Sequence, residues 1–268
     1  MIISRYDGML LVVLQPDHGV QTGIIARQWG SDDVPELSQH RHATHLAATH
    51  HDDGWAVWER HPTLDEATGQ PVQFYDVRPR EHLAAYRAGI ERAAQIDPWA
   101  GLLVSMHGAG LYNDRYGTYR LEEIGEQALD PVERRLVDEF LDDMAALQHR
   151  LYEEATGHRA LRAPHHHRGV MDDYLTLQVW DRISLQFALR HASDGVIGPL
   201  PGARRSLRCT AAGRFELALD PYPFVNDRVE LPVAARRIAD RPYRDPEEFL
   251  AALAAAPLIV LECTAVRG

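Results

Sequence analysis

The stretch His50-His51-Asp52-Asp53-Gly54-Trp55 sets two imidazoles beside two carboxylates and stops at a glycine. A neutral imidazole offers a metal a ring nitrogen, and a carboxylate adds hard negative charge, so such a pair suits a divalent transition metal. The chain has 15 histidines, so a histidine at any one spacing is weak evidence. The discriminating question is whether single histidines and aspartates on other helices can meet this pair.

Four positions qualify. His18 opens a first helix, with Gln21, Thr22 and Ile25 on its face. His82 opens a later helix, with Tyr86 and Gly89 one and two turns on. His107 ends the apolar run Leu102-Leu103-Val104-Ser105-Met106. Asp181 stands in the apolar Leu177-to-Leu185 segment, where a carboxylate is costly unless paired or metal-bound.

Other residues near these positions fit supporting roles, as substrate contacts or partners of the ligands: Gln21, His45, His50, Trp55, Tyr112 and Arg182. Asp52 and Asp53 are the candidate catalytic carboxylates, although helical geometry turns Asp53, like His50, away from the seam of the pair. His165-His166-His167 reads as a surface or rim loop, because contiguous histidines cannot all face one ion. His107-Gly108-Ala109-Gly110 has the look of an esterase oxyanion turn, but no G-x-S-x-G nucleophile accompanies it.

Composition removes other chemistries. The chain is 268 residues long and 45% hydrophobic, enough for one large domain or a domain with an appendage. All 28 basic residues are arginine, which excludes a Schiff-base lysine and a P-loop lysine. A net charge of -11 argues against a protein built to hold a polyanion, so no nucleic-acid partner is expected. The two cysteines, Cys209 and Cys263, have no CxxC partner. No apolar stretch approaches membrane-spanning length and Met9 to Leu14 is too short for a signal sequence, so the expectation is a cytoplasmic protein without a membrane partner. The oligomeric state is not legible.

The elements that must position these residues are mostly helical. Met1 to Gln15 reads as two short strands turning at Asp7-Gly8. Helices are expected from Asp17 to about Trp29, Leu37 to Trp58, Glu81 to Gln95, Pro131 to Glu154 and Asp172 to Arg190, with His107 to Gly110 as a glycine-rich turn. After Pro199, Arg214 to Leu219, Val229 to Val233 and Leu258 to Val266 read as strands. The expected fold is mainly α, with a small antiparallel β appendage from the N-terminal hairpin and C-terminal tail, α+β overall. Residues 1–205 would form the helical metal-binding core and residues 206–268 a small β-rich segment packed on it.

The order His18, His51-Asp52, His82, His107, Asp181 resembles the HD-domain superfamily of metal-dependent helical proteins, named for an adjacent His-Asp pair. Within it, the chain is most similar to an uncharacterised bacterial family carrying a DHxxQxGxxAxxWG start, HHDDGW and SxHxxGLY. The likeness covers roughly residues 10 to 190. It implies a helical bundle in which these six residues are the ligands of one or two divalent ions (Fe, Mn, Zn or Ni), with Asp52 as the bridge. It implies a phosphohydrolase that uses metal-bound hydroxide on the phosphate ester of a small-molecule substrate. Two other readings stay open: an HD-type di-iron oxygenase and a non-catalytic metal-stabilised binding protein. Where many hydrolases of the superfamily carry a lysine after the His-Asp-x-Gly stretch, this chain has Trp55.

Overall fold

In the computed structural model, residues 1–34, 36–113, 129–202 and 205–268 are described. The chain opens with strands β1 (Ile2–Tyr6) and β2 (Met9–Val13). They are joined at Asp7 and Gly8, which both take positive φ, the backbone of a tight hairpin turn. Helix α1 (Gln15–Gln28) follows, with proline in its first turn, where no amide donor is needed. Next come α2 (Arg41–His50), α3 (Trp55–Trp58), α4 (Pro79–Ile96), α5 (Pro98–Gly110), α6 (Pro131–Thr156) and α7 (Arg168–Ala188). Strands β3 (Gly195–Ile197), β4 (Leu207–Gly213), β5 (Glu216–Asp220), β6 (Arg228–Glu230) and β7 (Val233–Ala239) lead to α8 (Pro246–Ala255), β8 (Leu258–Leu261) and β9 (Thr264–Arg267).

Helix α5 is the centre of the helical layer. It is buried on all sides and packs against α2, α4, α6 and α7. Asp97 caps it by accepting hydrogen bonds from the amides of Trp99 and Ala100. An apolar helix of this kind needs neighbours all round it, and it serves as the post around which the others stand.

The β structure overturns the expectation of a mainly α fold with a small appendage. Among the described residues there are two sheets, one of four strands in the order β1-β2-β7-β8 and one of five in the order β3-β4-β5-β9-β6. The second is not purely antiparallel, because β5 and β9 run parallel. The protein is therefore a substantial α+β fold. The signal was weak in sequence because these strands are short and only alternate residues are buried: β4 reads buried, exposed, buried, then four exposed. The pairing is also non-local, for β2 takes β7 as its neighbour and so ties the hairpin to the tail. β3 pairs with β4 across the expected boundary at residue 205.

Two local expectations are also corrected. The helix read from Leu37 to Trp58 is broken: α2 ends at His50, and α3 starts at Trp55. Between them the amides of Asp53 and Trp55 bond to carbonyls three residues back, those of His50 and Asp52. His107 to Gly110 is not a turn but the last turn of α5. Burial against neighbours there outweighs the low helix preference of glycine. Helix α8, capped by Asp245, was not anticipated at all.

Candidate metal centre

Two close helix contacts set the His51-Asp52 turn in place. A Cβ on Gly19 or Gly23 would meet Thr49, at 2.6 Å from its carbonyl oxygen and 2.2 Å from its hydroxyl respectively, so bare backbone on α1 lets α2 in. A Cβ on Gly54 would lie 1.9 Å from the carbonyl oxygen of Ala85, so the turn sits directly on α4. These contacts bring His51 and Asp52 to the inside of the helical layer, where His18 (α1), His107 (α5) and Asp181 (α7) also point.

The five residues meet. Nε2 of His18 is 2.8 Å from Oδ1 of Asp181. Nε2 of His51 is 3.4 Å from Oδ2 of Asp52 and 3.7 Å from Oδ1 of Asp181. Nε2 of His107 is 3.8 Å from Oδ1 of Asp52, and Nε2 of His18 is 4.0 Å from its Oδ2. All five side chains are buried. Among the described residues, two groups have donor atoms within 4.8 Å of one another: His18, His51 and Asp181, and His51, Asp52 and His107. Buried histidine and aspartate groups that could hold a metal ion are thus present.

Hydrogen bonding fixes which nitrogen each of two histidines presents. Gln21 spends its amide NH2 on the carbonyl of Leu231 (2.5 Å), which leaves its Oε1 to accept the Ser184 hydroxyl (2.5 Å). Oγ of Ser184 then accepts the Nδ1–H of His18 at 2.6 Å. In the same way the Nδ1–H of His51 donates to the carbonyl of Ala48 at 3.0 Å. Both rings therefore turn Nε2 inward, toward two carboxylates, and buried Nε2 of His51 has no hydrogen-bond partner. Lone pairs and carboxylates facing one another in a low-dielectric interior call for positive charge at their centre. This donor set fits a metal ion, with His18 and His51 each steadied through the far nitrogen as metal-binding histidines are.

The protonation preferences express the same demand. Burial opposes a charged His51, but the carboxylates of Asp52 and Asp181 outweigh it and raise its pKa to about 9. Burial likewise opposes an ionised Asp181, yet the neighbouring His18 and His51 rings hold it well below the usual carboxylate range. For His107 burial dominates, with the neighbouring His51 adding to it, and its pKa falls to about 4.

The remaining sequence candidates lie beside the cluster or away from it. His82 is in neither group: its Nδ1 is bonded to the Tyr112 hydroxyl at 2.5 Å, and its ring packs on Trp55 and Tyr86. Burial pushes it down to about 4. Asp53 is not brought to the cluster, since its carboxylate pairs with His50 at 2.9 Å. Gln21 supports His18 through Ser184. Trp55 packs between Trp58, His82 and Tyr86. His45 lies against Trp180, half-buried, and Arg182 is buried beside Asp181 on α7. Of the histidine triplet, His167 stacks on Tyr152.

Two residues carry weight that the sequence reading did not give them. Ser184 is three positions after Asp181, on the same face of α7, and that spacing was the available signal. Tyr86, noted only as lying one turn after His82, places its hydroxyl 3.3 Å from Oδ1 of Asp52 and 3.4 Å from Nε2 of His107.

Among the described residues, no helix is long and apolar enough to cross a membrane. Comparison with known proteins finds one family, described as "Protein of unknown function (DUF3891)", that matches residues 1–240. No curated protein and no solved structure matches the chain.

Proposed function

The chain belongs to the DUF3891 family, and from the centre that it builds we propose a metal-dependent phosphohydrolase of the HD-domain type acting on a small-molecule phosphate ester. The observation that supports this reading is the convergence of His18, His51, Asp52, His107 and Asp181, in the ligand order of HD-domain proteins, around the unpartnered Nε2 of His51. A divalent ion held there supplies Lewis acidity to a phosphoryl oxygen and acidifies water near neutral pH.

The protein's own groups do the rest. His18 and His51 hold their Nε2 atoms ready through Ser184 and the Ala48 carbonyl. Asp52 addresses both halves of the cluster, Oδ2 toward His18 and His51 and Oδ1 toward His107 and Tyr86. Burial of all five donors keeps bulk water from screening them. Because the single lone pair on His51 Nε2 belongs to both groups, one ion is the simplest occupant, and its mixed nitrogen and oxygen donors suit Fe, Mn, Zn or Ni.

A second reading, an HD-type oxygenase using iron, is favoured by one observation. On the α4 side Asp52 meets a phenol, Tyr86, which is itself packed between the rings of His82 and Trp55. One experiment separates the two. Protein purified without a histidine tag is analysed for metal, then offered phosphodiesters and nucleotides under nitrogen with manganese, zinc, nickel or ferrous iron. Ester cleavage without oxygen is expected. Silence with every metal would sink the hydrolase reading, and turnover only with iron and dioxygen would install the second.

A further inference from the structure

We propose that Tyr86 is a direct ligand of the metal, the fourth member of the His51–Asp52–His107 group; the inference rests on the metal-centre reading above. Neighbouring donors that share one ion at bonds of about 2.0–2.1 Å lie about 3–3.5 Å apart. The Tyr86 hydroxyl oxygen meets that spacing twice, at 3.3 Å from Oδ1 of Asp52 and 3.4 Å from Nε2 of His107. The same Oδ1 of Asp52 is 3.8 Å from Nε2 of His107, while its Oδ2 is 3.4 Å from Nε2 of His51.

The phenol is also held in that direction. Tyr86 is buried, 4% exposed, one turn after His82 on α4. A Cβ on Gly108 would come within 2.9 Å of its ring, so α5 leaves bare backbone for the ring to lie against. His82 and Trp55 close the other sides, with ring centroids 4.9 and 6.0 Å away. A side chain clamped this way has lost its rotamer freedom before the ion arrives, so little ordering cost remains at binding. On coordination the phenol proton leaves for solvent and the oxygen becomes an anionic, hard donor. Such a donor favours iron, and ferric iron above all, over softer ions.

The test uses the full chain loaded with ferrous iron under nitrogen and then oxidised with ferricyanide, read by iron content and visible absorption. A phenolate on ferric iron produces a visible charge-transfer band. Wild-type protein is expected to bind iron and show the band. Tyr86→Phe is expected to keep bound iron and lose the band, while Tyr112→Phe keeps both. Iron bound by wild type without a band overturns the ligand assignment alone, as does a band that persists in Tyr86→Phe or disappears only in Tyr112→Phe. If Tyr86→Phe does not fold, resonance Raman on the wild type with ring-deuterated tyrosine decides: no isotope-shifted tyrosinate modes, no ligand. Wild type that takes up no iron, manganese, zinc or nickel removes the metal centre itself and this inference with it.

Discussion

Nε2 of His18 lies 2.8 Å from Oδ1 of Asp181, although 163 positions separate them in the chain. The pair joins α1 to α7. Around it the protein arranges three further buried donors, those of His51, Asp52 and His107.

Asp52 lies within 4.0 Å of His18, His51 and His107, so Asp52→Ala should lose metal more severely than the ~10–100-fold typical of changes to outer partners. His165 sits in the turn after residue 163, apart from both groups, and His165→Ala should bind metal like the wild type. Elemental analysis after dialysis compares them. Equal losses would mean that the centre has been located wrongly.

Ser184→Ala removes the acceptor of the His18 Nδ1–H and frees Gln21 Oε1 from its donor. The ring can then tilt or present its other tautomer, and metal affinity should fall ~10–100-fold with little change in fold. Competition titration against a chromogenic chelator reads this directly. Unchanged affinity would show that Ser184 does not orient the ring.

The metal-free protein should be most stable near pH 6.5. His51 has its pKa raised to about 9 in the folded chain, from 6.5. Its contribution is whole below 6.5 and is lost as pH rises through about 9. His82 and His107 have theirs lowered to about 4, so their contribution is whole above 6.5 and is lost as pH falls toward 4. Thermal melts of chelator-treated protein across this window check the sign on each side. A melting temperature that climbs steadily from pH 6.5 to 9 would contradict the assignment for His51.

Gly54→Ala tests the seat of the turn. The backbone there is ordinary right-handed helix, so the substitution costs nothing in φ, but its Cβ would fall 1.9 Å from the Ala85 carbonyl oxygen. The backbones of α3 and α4 must separate, at a cost of about 1–3 kcal/mol or more. Urea unfolding should show that loss, and metal affinity should drop with it because Asp52 is two residues away. A neutral result would mean that the two helices have slack between them.

What the sequence determined by itself is the part of the site that is local. An adjacent His-Asp pair, a histidine in the first turn of α1 and a carboxylate amid apolar residues of α7 are each visible within a few positions, because helical periodicity and the cost of burying charge act over that range. Helix α1 and the Asp7-Gly8 hairpin were legible for the same reason. The tertiary structure alone decided the rest. That Tyr86 reaches Asp52 while His82 turns to Tyr112 depends on how α4 is rotated against α5, which Gly108 permits. That Gln21 orients Ser184 depends on a carbonyl of the tail, Leu231, 210 positions away. The two sheets are of the same kind: strand pairing is a contact between distant segments, and a short half-buried strand carries too few apolar residues to announce its partner.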